Sequence, residues 1–478
     1  MQKTVVIVGA GITGLTAAWT LQKKMRGAVR CHILESALRP GGKIFSEHKD
    51  GFVVERGPDS FITQKPDAME LCRELGLQDR LMGSNAQERT TYVWSQGRLH
   101  PLPEGMMLVA PARVLPVLRS HLLSWPGKLR MGMEYWIPPR SADAPEESLA
   151  GFVRRRLGQE ALDKIATPLM AGIHAADPER LSLRSTFPVF YEMEQKHGSL
   201  LRAMLHRRQA QKIQPAKKLR TSTPTSMFVT LRGGLQQMTD AMAAQLEPGV
   251  LQLGVSVASI TRRDGQYVLT QSDGQRLRAD AVILTTPAYA AAQVVQTLDA
   301  RLAETLRAIR YVSTATVSLA YRRSEVPHAL DGYGFVIPRT EHRSITACSW
   351  SSVKFPGRAP EGYTLLRVFL GGAGAEHLAE QGETELIERA RVELRTTMGI
   401  AAHPQWATAH CWWKANPQYE LGHAVLVAEA EGLAARHAGL QLAGAAYHGA
   451  GIPDCIRSGN EAAALAMEAI QMDRCVSI

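Results

Sequence analysis

The chain has 478 residues, more than a single hydrophobic core usually organises, and its 45% hydrophobic and 21% charged residues describe an ordinary folded protein of two or three parts. Lys and Arg number 55 against 45 Asp and Glu, a net charge of +10 that suits an acidic partner: nucleic acid, an anionic membrane surface, or a substrate with several carboxylates. Aromatic residues, at 6%, are too few for a protein built to stack on bases, and the 6 scattered cysteines, with no CxxC pair and no histidine at ligand spacing, make neither a disulfide framework nor a metal site.

In chain order, residues 4–8 form a β-branched run read as a buried strand, residues 15–25 a helix and residues 30–34 the next strand, ending at Glu35. That is a βαβ unit. Asp67 is placed as the N-cap of a helix that stops near Gly76. The stretch 99–139 is rich in Pro, Met and Leu, and reads as short packed helices rather than as a membrane-touching or substrate-admitting surface. Helices are expected over 148–157 and 159–170. From 195 to 239 there is no acid, and this basic stretch, with QPAKKLRTSTPTS near its end, reads as a solvated loop. A helix follows the Gly233-Gly234 pair. Strands are expected over 251–260, 267–271 and 281–284, with turns at Asp264-Gly265 and Asp273-Gly274. A second β-rich region covers about 311–370, and the chain closes with a strand at 440–442, a glycine-rich turn and a helix from about 459 to 472. No apolar run of about 20 residues is present and the early one stops at Gly9, so neither a spanning helix nor a signal peptide is expected.

Gly9-Ala10-Gly11-Ile12-Thr13-Gly14 follows the first strand and opens the first helix. Gly9 permits the tight turn, Gly11 lets a pyrophosphate approach the backbone, and Gly14 lets helix and sheet pack closely. The helix N-terminus offers free N–H groups and a positive dipole to phosphate. Glu35 stands where a carboxylate binds ribose hydroxyls and repels a 2′-phosphate. A dinucleotide is therefore expected. Arg39-Pro40-Gly41-Gly42-Lys43 adds a second set of backbone donors for an extended cofactor, a pattern that resembles the FAD enzymes of the amine oxidase and phytoene desaturase superfamily. The cluster Gly371-Gly372-Ala373-Gly374 fails the dinucleotide template because His377 stands at the third glycine position, so no nicotinamide cofactor is expected. Near the end comes GAAYHGAGIPDCIRSGN, residues 444–460, which in that superfamily passes the flavin ring.

The resemblance sharpens with GPDSF (57–61), LHPLP (99–103), AGIHAADPERLSLRSTFP (171–188), ITAC (345–348), NPQY (416–419) and GIPDCI (451–456). Taken in order over nearly the whole chain, these resemble the porphyrinogen oxidases, and most of all the Gram-positive bacterial type that acts on coproporphyrinogen III. The resemblance implies an α/β fold with α+β insertions: a Rossmann-like FAD-binding domain from 1–84, 221–290 and 432–478, a helical domain from 85–220 and a substrate-binding domain from 291–431.

By the same resemblance, Gly9, Ala10, Gly11, Ile12, Thr13, Gly14, Glu35, Ser36, Gly42, Lys43, Gly57, Pro58, Asp59 and Ser60 hold non-covalent FAD, and Val257 meets its adenine through the backbone. Trp412, Ile452, Pro453 and Asp454 close the flavin site; Lys65, Ile173 and His174 are the substrate-binding candidates. Relatives often carry Tyr where His174 stands, and His448 also departs from the common pattern of its turn. The implied reaction is hydride transfer from a bridge carbon of the porphyrinogen to flavin N5. Three rounds give coproporphyrin III, with dioxygen as acceptor and hydrogen peroxide as product. No protein base is required, in keeping with the lack of a Ser/His/Asp or paired-carboxylate signature. Protoporphyrinogen IX oxidation, flavin amine oxidation and a non-catalytic lipid-binding role are the alternatives. The expected setting is cytoplasmic, with contact to a membrane surface or to the next haem-pathway enzyme through the basic stretch, and with no nucleic acid.

Overall fold

The first strand dictates the centre of the molecule. In the computed structural model, which describes residues 2–107, 109–111, 113–213 and 226–476, Lys3–Val8 sends Val5 and Ile7 into one core and Val6 and Val8 into another. A strand apolar on both faces must be covered on both, which is the condition of a parallel sheet. The sheet runs in the order Leu251–Leu253, Val29–Glu35, Lys3–Val8, Ala281–Leu284, Leu440–Leu442, every neighbour parallel. Helices Ile12–Lys24, Gln236–Gln245 and Ile452–Val476 cover one face. On the other lie helices Ala288–Val295, Ala300–Arg307 and His423–Ala435 and the antiparallel strands Val257–Arg263, Gln266–Gln271 and Arg276–Ala279. This is the expected Rossmann-like α/β layer.

Helices Ile12–Lys24 and Ile452–Val476 approach closely because small residues line their contact. A side chain's first carbon on Gly459 would lie 2.4 Å from the Thr13 carbonyl oxygen. Thr20 Oγ1 donates to Asn460 Oδ1 across the same seam at 2.6 Å.

A mixed sheet of seven strands forms a second layer, in the order Trp406–Pro417, Tyr311–Arg322, Tyr363–Gly371, Ile345–Trp350, Gly332–Val336, Thr90–Ser95, Arg98–Pro101. Helix Glu383–Met398 packs its Leu386, Ala390, Leu394 and Met398 on one face. A third core joins helices Val114–Arg119, Leu149–Leu157, Thr167–His174 and Pro188–His197. At its centre the buried Arg156 guanidinium bonds Glu194 (2.5 Å) and Glu134 (3.2 Å), and Glu134 accepts the Leu200 and Leu201 N–H groups at 2.8 and 3.0 Å.

Several expected boundaries are corrected. The single strand over 251–260 breaks at Gly254 (φ +73°), and its halves join different sheets. Asp67 is the first residue of helix Asp67–Glu74, capped by Pro66 without a side-chain bond. Arg98–Pro101, Met106–Met107 and Ala110–Pro111 are short strands before the helices begin. The front of the basic stretch is not a loop but helix Leu200–Ile213; residues 214–225 lie outside the described residues. The last helix starts at Ile452, well before residue 459, because a proline at 453 is tolerated in a first helical turn.

Candidate cofactor site

The opening turn is held by Glu35. Its Oε2 accepts the Ala10 N–H at 2.6 Å and its Oε1 the Ala37 N–H at 2.8 Å, with Ser36 Oγ at 3.3 Å. The carboxylate that sequence assigns to a ribose thus also fixes the glycine turn, and an ionised carboxylate has lone pairs left for hydroxyl donors. Gly9 takes φ +105°, and a carbon on Gly14 would lie 2.0 Å from the Gly9 oxygen, so both glycines are packing requirements. Gly11 differs: a carbon there would meet nothing within 4 Å. It opens helix Ile12–Lys24, which has no side-chain cap and no acid in its first turn. Beside Gly9 lies Thr286, whose buried hydroxyl finds no partner among the described residues. An open, uncapped helix N-terminus with a spare hydroxyl fits a diphosphate.

The second glycine pair folds onto this turn. Gly41 N–H donates to Ala10 O at 2.8 Å, and a carbon on Gly42 would stand 3.2 Å from Gly11 Cα. Lys43 turns inward and donates to Ala415 O; burial lowers its pKa. Gly57 lies so close to Lys43 that a carbon on it would overlap the Lys43 carbonyl oxygen at 1.8 Å and meet Trp412 at 3.5 Å. Trp412 Nε1 donates to Arg56 O at 2.7 Å. The segments 42–43, 56–57 and 412–415 therefore meet at one place.

The Asp59 carboxylate is held by protein partners. Lys354 Nζ bonds both oxygens, at 2.8 and 3.0 Å, and Ser60 Oγ donates at 2.7 Å. Burial alone would raise its pKa, but Lys354 and Arg367 outweigh this and bring it to about 2. Arg367, itself buried, donates to the Arg56 and Gly57 carbonyls at 3.0 and 2.5 Å. Lys354 and Arg367 thus set the loop at Gly57, Pro58, Asp59 and Ser60 from across the second sheet. No local signal in the sequence marks them; they are recognised only from the fold.

At the other end, Gly444 N–H donates to Ser458 Oγ (2.9 Å), and a carbon on Gly444 would lie 3.7 Å from Thr13 Oγ1. Ile452 and Asp454 are buried at the start of the final helix. Lys65 Nζ bonds Asp454 at 2.6 and 2.7 Å. Cys455 is buried and its thiol is pushed up to about 11, so it is no thiolate nucleophile. Val257 sits at a bulge opposite Gln271, just after Val255, whose N–H donates to Glu35 O at 2.8 Å.

Ile173 and His174 end helix Thr167–His174. Ile173 is 56% exposed, whereas His174 packs edge-on against Phe187 at 5.5 Å and burial takes its pKa down to about 4. The NPQY motif, given no role by sequence, joins this helix to the final turn: Gln418 reaches His174 O at 3.4 Å and Tyr419 reaches Ala445 O at 2.8 Å.

The sequence profile of the family described as flavin containing amine oxidoreductase matches residues 12–467. The chain belongs to that family of flavin enzymes, in its porphyrinogen oxidase branch. Among its relatives, a coproporphyrinogen III oxidase of Bacillus subtilis is 37% identical over 96% of this chain and 97% of its own. One of Staphylococcus aureus is 32% identical over 97% and 98%. A crystal structure from Exiguobacterium, provisionally named protoporphyrinogen oxidase, superposes with a TM-score of 0.85 at 30% identity, covering 98% of this chain and 99% of that one.

Proposed function

We propose that the protein binds FAD non-covalently and oxidises coproporphyrinogen III to coproporphyrin III in haem biosynthesis, with dioxygen as acceptor. The observation that carries the cofactor is the open space over Gly11 at an uncapped helix start, reached by the Gly41-Gly42 pair. The substrate rests on the coproporphyrinogen III oxidases that this chain resembles end to end. Bound FAD would supply the hydride acceptor for a bridge carbon of the porphyrinogen.

The remaining work falls to the chain. The turn at Gly9, Ala10, Gly11, Ile12, Thr13 and Gly14 binds the diphosphate, Glu35 and Ser36 the ribose, and the backbone of Val257 the adenine. Gly42, Lys43, the loop at 57–60 and Trp412 would hold the ring, and Ile452, Pro453 and Asp454, at the start of the final helix, would offer the positive end of its dipole to the charge that reduction brings. Ile173 offers apolar contact to the macrocycle and Lys65 a cation to a propionate. The half-buried, neutral His174 shapes the chamber without transferring a proton. Hydride loss leaves a cation shared by two pyrroles, so no side chain is needed as base.

We place the division into three parts as expected from sequence, with residues 90–101 given to the substrate part because they complete its sheet. The helical part supports contact with an anionic membrane surface. Trp125, Leu129, Met133 and Trp136 are 66%, 69%, 56% and 74% exposed along consecutive helical turns. Lys128 lies 4.5 Å from the Trp125 ring and Arg202 of the basic helix 4.6 Å from that of Tyr135. Apolar rings flanked by cations are the pattern of a helix lying in a lipid interface.

The Exiguobacterium relative keeps protoporphyrinogen IX as the second reading. Supplying each porphyrinogen in air and following porphyrin fluorescence decides between them. The reading predicts a gain with coproporphyrinogen III well above autoxidation and above that with protoporphyrinogen IX; the reverse order would overturn it.

A further inference from the structure

The final turn is built from glycines. Gly444 and Gly449 take φ of +120° and +137°, conformations open to glycine and strained for other residues. Such a turn has little rigidity of its own. Beside the Ser458 bond at Gly444 N–H, it is tied by Tyr419, which lies on the strand exit following Trp412 and is only 8% exposed. The Tyr419 hydroxyl donates to Ala445 O and accepts the Gly449 N–H, both at 2.8 Å, so one oxygen ties the two ends of the turn together. Its ring stacks on His423 with centroids 4.1 Å apart and planes 11° from parallel. His423 Nε2 lies 3.3 Å from Tyr447 O, the carbonyl between the two tied positions. Behind the ring, the Tyr419 carbonyl accepts the Ser182 N–H at 2.8 Å, and Gln418 reaches the end of the Ile173 helix.

We infer that Tyr419, backed by His423, is the positioning residue that fixes the glycine turn 444–451 against the flavin and holds it in register with the substrate-lining helix. The inference rests on the flavin reading above. Tyr419 touches neither reacting atom; it acts through the turn. The turn leads directly into helix Ile452–Val476, whose N-terminus favours a negatively charged reduced ring, so loosening the turn weakens reduced flavin more than oxidised flavin.

Tyr419→Phe in the holoenzyme removes the oxygen and keeps the ring on His423. Its control is Tyr267→Phe: the buried Tyr267 hydroxyl also bonds two backbone groups, His437 O at 2.9 Å and Ala438 O at 2.8 Å, before the strand that precedes the turn. Expected for Tyr419→Phe are at least fivefold faster FAD release and about a tenfold loss of preference for reduced flavin, a fall of about 30 mV in the two-electron midpoint potential. Tyr267→Phe is expected to lower Tm with neither change. A second variant, His423→Phe, keeps the stack and loses the bond to Tyr447; it shifts both readouts the same way by less. If Tyr419→Phe matches the wild type or Tyr267→Phe in release rate and potential, the inference is overturned while the flavin reading stands. A wild-type protein that takes up no FAD would overturn both.

Discussion

Lys65 and Asp454 lie 389 residues apart in the chain, yet Lys65 Nζ stands 2.6 and 2.7 Å from the two carboxylate oxygens. The carboxylate is buried and also receives Arg457 Nη2 at 2.5 Å, while the lysine side chain is 40% exposed. One end of the pair thus anchors the start of the last helix and the other faces outward. A propionate that reaches Lys65 must share it with Asp454.

This sharing sets the size of the effect to expect. Lys65→Ala leaves Asp454 paired with Arg457, so FAD content is expected to hold. Loss of one half-exposed cation weakens a propionate by about 1 kcal/mol, a rise of about fivefold in KM with little change in kcat. Steady-state kinetics of the FAD-loaded variant checks this; an unchanged KM would remove Lys65 from the substrate site.

The two glycines of the opening turn are expected to fail differently. Gly11→Val places its side chain in open space, so the protein folds but is isolated colourless. Gly14→Ala drives a carbon onto the Gly9 oxygen and costs stability, about 1–3 kcal/mol by the usual measure of overpacking. Visible absorbance and urea unfolding of both variants separate loss of ligand from loss of fold.

His174 imposes a pH dependence on stability. Its pKa falls from 6.5 to about 4 in the folded chain because burial disfavours the imidazolium. The unfolded chain therefore takes up the proton first as pH drops. Stability is full above pH 6.5 and is lost progressively toward pH 4, by about 3 kcal/mol at most. His174→Tyr is expected to flatten this slope; Tm measured from pH 7 to 4 for both proteins tests it.

Trp125 and Trp136 are expected to anchor the helical part on lipid. Trp125→Ser with Trp136→Ser should abolish cosedimentation with vesicles containing anionic lipid and leave turnover in vesicle-free buffer unchanged. Equal cosedimentation of variant and wild type would show that this face docks elsewhere.

What sequence revealed and what it hid divide along the range of the forces. The Gly9–Gly14 turn, Glu35 and the first two strands were legible because the chemistry is local: a β-branched run, glycines at fixed spacing and an acid at the next strand end. The basic helix Leu200–Ile213 was not, because its start is fixed by the buried carboxylate of Glu134, distant in sequence. Lys354, which holds the Asp59 carboxylate, was hidden too, since nothing near Asp59 in the chain announces it. The break at Gly254 escaped notice because apolar alternation continues past it while the sheet partner changes. NPQY was visible as a pattern, but the two backbone groups that Tyr419 ties are apparent only once strand and final turn are side by side.

The central claim is tested most directly by mixing the FAD-loaded protein with coproporphyrinogen III in the absence of oxygen and following the flavin absorbance. The account predicts rapid bleaching of the visible band, recovery when air is admitted, and porphyrin formed in proportion. A band that stays oxidised while the porphyrinogen is in excess would contradict it.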